Sequence, residues 1–467
     1  MQKNTKTISD ILSGKTKKIY KFFFVGIGGV SMFSLASLMQ DFGQEVWGSD
    51  SKKSNNTKEL VKRGAKVFGE HKPENVVGCD FVVYSYAVWN NVEVQKAKEL
   101  GIKVLSRTEL LNILLKRYKI SICVSGAHGK TTTTALIYKV LCVAGLKPSL
   151  HLGGSLAENG KCGIVNNGEI IVCEACEYRD AFLNLKPSVA VVLNVAPEHL
   201  DYFKTFNNVK SSFNMFAKSA KVLIYNKQDN FLQNNRKVSF GDIGSDYYAD
   251  NVVMRYDGTY DFLCNKFGKC LGWFHINLIG EHNVQNALAA TAVCDYLGID
   301  INHIKKAFDE FEGVQRRFQI LKNNPLIIHD YAHHPDEIKT VIKELKNFYK
   351  NKVLVIFQPH TYSRTKLLMN EFVNCFHDAD DLALIKTYSA REKYNSMGSS
   401  KRLALKLGAN CEYLTNKKQA YDLVKQKISL GYAVIFLGAG NINKLAENIA
   451  KLCWQVTLYM LNSYSLN

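Results

Sequence analysis

The stretch VSGAHGKTTTT, Val124 to Thr134, decides the reading of this 467-residue chain. The apolar run Ile120 to Val124 predicts a strand that enters a turn at Gly126 and Gly129, and Lys130 with Thr131 to Thr134 opens a helix. Backbone amides at such a turn converge on one point, and the helix dipole adds positive potential there, so phosphate oxygens are favoured. The cradle runs through Gly126, Ala127, His128, Gly129, Lys130, Thr131 and Thr132. In it Lys130 reaches the outer phosphates of a nucleotide and the Thr131 hydroxyl meets magnesium. Val124 stands where the full phosphate-loop pattern has its first glycine, which leaves a bare strand-to-helix turn as the competing reading.

Working outward toward the amino terminus, Lys18 to Val25 reads as a strand, GIGGVSM follows, and Phe33 to Phe42 has the apolar spacing of a helix. A second strand, Glu45 to Gly48, closes on Ser49 and Asp50. This is a dinucleotide-type βαβ start in which Ser31 occupies the third glycine position and Gly29 is an added glycine. Asp50 lies where an acid meets a ribose in such folds, or simply caps the strand end. Asp80 to Tyr84, Val92 to Leu100 and Ile102 to Leu105 continue the strand-helix alternation, and a domain boundary is expected near residue 108.

Beyond the central loop the helix runs to Val143, with Gly145 and Pro148 as stop signals. Ile170 to Glu174 is a strand ending near Glu174 and Glu177, and Val189 to Leu193 is another, ending in NVAPEHLDYF. Open α/β sheets place ligands at the carboxyl ends of such strands. Magnesium prefers oxygen, so Glu174 is a natural ligand and His199 a less usual one, with an ordinary loop histidine as the alternative. Turn pairs at Asp257-Gly258 and Phe267-Gly268 indicate antiparallel hairpins attached to the central sheet. GEHNVQNALAA starts a helix, Ile301 to Phe311 makes another, and GVQRRFQI brings out Arg316 and Arg317.

From Leu326 a third alternation begins with LIIHDYAHHP, a helix from Asp336 to Tyr349, the strand Val353 to Phe357 and QPHTYSRTK. Asp380 to Ile385 and Ala433 to Leu437 are further strands, the second followed by GAGN and a closing helix. His329, His333 and His334 invite a zinc reading, but Pro335 disfavours helical geometry at His334, so a polar site at a strand end is the other choice. The segment from Trp454 to Asn467 carries no signal.

A formal net charge of +18 suits anionic substrates, and no aromatic-interleaved basic patch points to nucleic acid. No apolar run reaches the ~20 residues of a membrane span, and the basic start lacks a following apolar run, so a cytoplasmic location is expected. The 12 cysteines show no framework of paired spacings, which points to reduced thiols; the CxxC of Cys173 and Cys176 would need a second pair nearby to hold zinc.

Taken together, the ordered motifs resemble those of the Mur ligase family from about residue 20 to residue 445. GIGGVSM resembles the family's amino-terminal loop, GAHGKTTTT its phosphate loop, CEACEYRDAFL and NVAPEHLDYF its paired metal segments, and GEHNVQNALAA its adenine-side helix. RRFQ, DYAHHP and FQPHTYSRT resemble its carboxy-terminal motifs, and RRFQ and EACEYRD are most similar to the alanine-adding branch. The family usually has Thr where Ala127 stands and often a second Asp where His329 stands, and some members have Arg where Thr361 stands.

The resemblance implies an α/β fold of three domains, each built on a largely parallel sheet flanked by helices. A Rossmann-like domain for the UDP-sugar spans 1–108, a P-loop-like central ATPase domain 109–322 and a Rossmann-like ligase domain 323–467. It implies ATP and magnesium as cofactors, and UDP-N-acetylmuramate and L-alanine as substrates joined through an acyl phosphate. Thr131 is assigned to one magnesium, Glu174 and His199 to a second; His282 and Asn283 belong near the adenine, Arg317 near phosphates and Asp330 near the ribose. Gly26, Gly28, Gly29 and Asp50 are expected to hold the UDP-sugar. His333 and Arg364 are expected to contact the alanine, and Lys130, His199, His333 and Arg364 form the implied catalytic set. Competing readings are a ligase that adds another amino acid or a peptide, and a regulatory nucleotide-binding ATPase. Oligomeric state is open.

Overall fold

The computed structural model describes Ile8, residues 18–390 and residues 392–452; the basic start before Lys18 other than Ile8, and the tail from Trp454, lie outside the described residues. Three sheets carry the chain. The first has the order Lys66–Phe68, Glu45–Ser49, Lys21–Val25, Phe81–Tyr84, Lys103–Ser106, with every neighbour parallel. Its central strand, KFFFV, is an unbroken apolar run because both faces are covered: Phe22 and Phe24 enter one core and Phe23 another. The glycine turn that follows Val25 sits where the strand order reverses, the ligand crevice of such sheets.

The second sheet has ten strands. Ile120–Ser125 lies between Val189–Val192 and Ile170–Glu174, parallel to both, with Ser125 opposite Val192 and Val124 opposite Glu174. Three strand ends therefore deliver Gly126, Asn194 and Glu174 to the same edge. The hairpin across Phe267-Gly268 pairs Tyr260–Lys266 with Lys269–Ile276 antiparallel, as its turn residues require. Lys237–Gly241 and Tyr247–Met254 instead run parallel over two residue pairs. The short connection between them is tied by Asp246, whose carboxylate accepts from Ser239 N and Oγ at 2.7 and 2.9 Å.

The third sheet runs Gln319–Lys322, Ile327–Asp330, Ala433–Leu437, Val353–Phe357, Asp381–Ile385, Cys411–Leu414. It is parallel except for its first strand, an antiparallel edge that pattern reading did not register. Regular structure continues past Ser106, through the expected domain boundary near residue 108. Arg107–Leu115 is helical, started by a capping box in which Ser106 and Glu109 satisfy each other's backbone amides. The first two sheets belong to one compact unit and share a continuous core that includes Phe22, Leu35, Leu114, Cys173, Phe182 and Phe216. The third sheet forms a second unit with its own cores, one on each face. No helix among the described residues is long and apolar enough to cross a membrane, and none of the described cysteines is paired.

Candidate active site

The phosphate loop takes the expected strand-turn-helix form. Gly126 and Gly129 have φ of 147° and 83°, conformations that a side chain disfavours, and a Cβ at Gly129 would collide with Asn286 Oδ1. Asn194 splints the turn: Ala127 N donates to its backbone oxygen at 3.0 Å, His128 N donates to Oδ1 at 2.8 Å, and Asn194 Nδ2 donates to His128 O at 3.1 Å. The first amides of the helix Lys130–Val143, including those of Thr131 and Thr132, have no carbonyl a turn earlier to bond, so they form the anion-facing end. The helix His282–Tyr296 braces this end through Asn286, which accepts from Thr133 Oγ1 at 3.1 Å and donates to Asn283 Oδ1 at 2.9 Å. Asn283 is thus buried, while His282 beside it is exposed.

Lys130 points back along the loop. Its ammonium donates to Gly126 O, to Ala127 O at 3.0 Å and to Glu177 Oε1 at 3.1 Å. Burial opposes the charge of Lys130, yet Glu177, with Glu174 and Glu198 behind it, outweighs burial and raises the lysine pKa above its ordinary value. For Glu177, burial likewise opposes ionisation, and Lys130 and His199 overcome it and lower the carboxyl pKa. Glu177 reaches this place because the chain turns back just after it, through Arg179 and Asp180 in the left-handed region.

Glu174 and His199, expected on one ion, have different partners. Glu174 Oε2 accepts from Thr131 Oγ1 at 2.8 Å and from Gly153 N at 3.0 Å. His199, itself left-handed at φ 55°, lies under Tyr178 with Nε2 3.6 Å from Glu177 Oε1. Glu177, Glu198 and His199 offer ligand atoms within 4.8 Å of one another. Glu177 Oε2 is buried with no hydrogen-bond partner, and this oxygen-rich set fits a hard divalent cation.

In the amino-terminal sheet, Gly26 N and Ile27 N both donate to Ser49 O, and Gly29 N donates to Gly26 O, which shapes the GIGG turn. Asp50 accepts from Gly28 N at 3.0 Å and Lys52 N at 2.9 Å, and a Cβ on Gly28 would come within 2.9 Å of Asp50 Oδ2. Asp50 therefore holds the turn. Below it lies a polar cluster that the sequence did not announce. The fully buried Glu93 accepts from Ser49 Oγ at 2.6 Å and Asn75 Nδ2 at 2.8 Å, and lies 2.8 Å from His71 Nδ1.

The second unit gathers the remaining predicted residues. Arg316, at φ 66°, donates from Nη2 to Gly438 O and Gly440 O at 3.0 Å each, so it ties the QRRF turn to the end of Ala433–Leu437. Arg317 lies over the Tyr331 ring at 5.1 Å. Asp330 is buried and accepts from Phe318 N at 2.7 Å and Ala332 N at 2.6 Å; burial raises its carboxyl pKa despite Arg317 and these amides. His334 caps the helix Pro335–Phe348 in an extended conformation, as Pro335 demands, and His329 is buried in its strand with Nε2 unpartnered.

His333 sits 3.3 Å from Glu337 Oε2 and edge-on to His360, whose ring stacks on Tyr388. Burial, then the charges of His333 and Arg364, push the His360 imidazole down to about 4. His360 Nδ1 and Arg364 Nη1 are both buried without a hydrogen-bond partner. Of these, the Arg364 guanidinium nitrogen is a charged donor left open, which suits an anionic partner. His360 belongs to this group although no motif reading singles it out; its place after a strand end, in QPHTYSRT, is the one signal the sequence offers.

A lysine on a phosphate loop, a helix amino terminus and two groups of acids define a nucleotide-handling enzyme of the open α/β class. Comparison with known proteins takes the assignment further. The chain matches the Mur ligase family, catalytic domain, over residues 21–119, the Mur ligase middle domain over 124–294 and the Mur ligase, glutamate ligase domain over 316–440. It is 39% identical over 447 residues to the UDP-N-acetylmuramate–L-alanine ligase of Caldanaerobacter subterraneus subsp. tengcongensis, covering 92% of this chain and 97% of that one. It is 40% identical over 451 residues to the ligase of the same name from Aquifex aeolicus, covering 93% and 98%. The crystal structure of UDP-N-acetylmuramate-alanine ligase from Thermotoga maritima superposes with a TM-score of 0.80 at 28% identity, covering 94% of this chain and all of that one. The chain belongs to the Mur ligase family.

Proposed function

We propose that this chain is an ATP-dependent ligase that joins L-alanine to the lactyl carboxylate of UDP-N-acetylmuramate, giving ADP and phosphate, in peptidoglycan precursor synthesis. The observation that carries this reading is its 39% and 40% identity, over more than nine-tenths of each chain, to two ligases of that name. A free carboxylate has a poor leaving group for amide formation. Its attack on the γ-phosphate of ATP gives an acyl phosphate, and the amine of L-alanine then displaces phosphate.

The residues suit this order of events. Lys130 neutralises charge on the transferring phosphoryl group, and the amides at the start of its helix hold the nucleotide phosphates. Thr131 with Glu174, and His199 with Glu177 and Glu198, would hold magnesium, which supplies charge neutralisation between carboxylate and triphosphate. The turn Gly26 to Gly29, shaped by Asp50, takes the UDP-sugar, and the helix carrying His282 and Asn283 takes the adenine side. Arg317 and Asp330 serve the nucleotide. Arg364 pairs the alanine carboxylate, with His333 and His360 beside it.

The test is phosphate release from ATP with UDP-N-acetylmuramate and L-alanine, omitting each in turn. Turnover that requires both acceptors is expected. ATP turnover unchanged without the UDP-sugar would indicate a regulatory ATPase, and faster turnover with another amine would reassign the amino acid.

A further inference from the structure

His151 is a buried polar group that the reaction above does not use. It ends the strand Ser149–His151 and is 2% exposed. Its Nδ1 lies 2.7 Å from Ser34 Oγ and its Nε2 3.2 Å from Ser31 Oγ. Ser34 Oγ also donates to Cys162 O at 2.8 Å. A hydroxyl has one proton, so Ser34 must accept from Nδ1–H; in the neutral ring Nε2 is then the acceptor for Ser31. Burial, with a smaller contribution from Arg107, holds this imidazole down at about 3 and keeps it neutral.

The two serines sit one turn apart on the helix Val30–Asp41, whose amino cap is Gly29 of the GIGG turn. In the other direction, the second residue after His151 is Gly153, whose amide donates to the Glu174 oxygen that also accepts from Thr131. Contact there is close: a Cβ on Gly153 would lie 2.7 Å from Glu174 Oε1, and one on Gly154 2.8 Å from Thr131 Cγ2. The run His151-Leu152-Gly153-Gly154 thus joins the helix of the amino-terminal turn to the acid and hydroxyl beside the phosphate loop.

We infer that His151 is a positioning residue, which fixes the amino-terminal turn against the Glu174–Thr131 pair so that a carboxylate held by one domain meets a phosphate held by the other. The inference rests on the reaction proposed above. The UDP-sugar turn and the phosphate loop lie on either side of this joint, so loosening it leaves both binding events intact and spoils their alignment, for which a displacement of ~1 Å can cost about a hundredfold in rate.

The test compares the full-length wild type with His151→Leu, His151→Asn, Ser34→Ala and the His151→Leu/Ser34→Ala double variant. UDP-N-acetylmuramate and ADP affinities are measured by calorimetry, kcat by phosphate release with all substrates, and stability by urea unfolding. His151→Leu is expected to keep both affinities within about twofold and to lose about ten- to hundredfold in kcat. His151→Asn, which offers an N–H toward Ser34, recovers most of that loss. Ser34→Ala lowers kcat as well, and adding it to His151→Leu costs little more, because both remove one connection. The inference is overturned by a folded His151→Leu with wild-type kcat, by additive losses, or by losses in both affinities that follow the urea midpoint. Should His151→Leu fail to fold, Ser34→Ala and His151→Asn decide between the same outcomes. A wild type that does not turn over these substrates overturns the proposed reaction and the inference with it, whereas an active wild type matched by His151→Leu overturns the inference alone.

Discussion

Glu177→Gln separates the two duties of the phosphate-loop lysine. Lys130 Nζ lies 3.1 Å from Glu177 Oε1, with the two side chains 15% and 4% exposed, and it also donates to two loop carbonyls. At an effective dielectric near 20, unit charges at this separation attract by about 5 kcal/mol before desolvation is counted. A phosphate must displace this partner and must also approach a carboxylate of its own sign. Glutamine keeps the shape and removes the charge. ADP affinity measured by calorimetry in EDTA should therefore rise by about ten- to hundredfold, equivalent to about 1.4–2.8 kcal/mol. The ligand-free protein should lose stability by less than the roughly 3–5 kcal/mol of a broken buried pair, because Glu174, Glu198 and the carbonyls remain near the lysine. With magnesium present the gain in affinity should shrink, since the same substitution replaces an anionic oxygen ligand by a neutral amide. A folded variant whose metal-free ADP affinity is unchanged or weaker refutes the claim that Glu177 restrains Lys130.

Two further outcomes follow from the second unit. Arg364 Nη1 is buried and unpartnered, and lysine lacks the planar fork that takes a carboxylate by two bonds, so Arg364→Lys should raise the KM for L-alanine by about tenfold or more and leave that for ATP unchanged. Equal losses for both substrates would instead assign Arg364 to phosphate. His329 is 1% exposed and, through burial and then Arg316, is held down at about 3. The unfolded chain takes up this proton first, below about 6.5, so the stability of keeping the ring neutral is complete above that pH and is lost as pH falls toward 3. Between pH 6.5 and 5 the wild type should lose about 2 kcal/mol more than His329→Leu, as read from urea midpoints; identical pH profiles would show that the ring is not the titrating group.

The parts legible in the sequence were those set by local pattern. Strand, glycine turn and Gly-Lys-Thr helix start are one continuous motif, and the Ile170, Val189, Val353 and Ala433 strands are apolar runs that parallel sheets bury on both faces. Strands of two to four residues, such as Lys66–Phe68, Gly163–Ile164 and Cys411–Leu414, are too short to show a period and exist because a neighbour supplies their hydrogen bonds. The candidate site divides in the same way. Lys130 and Thr131 are named by their motif, while the partnership of Lys130 with Glu177 depends on a reversal through Arg179 and Asp180, and the bracing by Asn194 and Asn286 on contacts with distant segments. Asp50 was open between a ribose contact and a strand-end cap; its bond to Gly28 N ties it to the glycine turn, a duty that no spacing rule contains.

The three hydrogen bonds between Asn194 and the loop residues Ala127 and His128 have a kinetic consequence. Many anion-binding loops are ordered by the ligand itself, and the entropy lost in ordering then weakens binding and slows the encounter. Here the ordering of the turn is charged to folding, because a residue at the end of a neighbouring strand already fixes it. The amides of Ala127 and His128 are thereby withdrawn from the phosphates, and the open amides are those of the first helical turn. Nucleotide should enter as into a rigid socket, with an association rate set by diffusion and by the displacement of Lys130 rather than by loop closure.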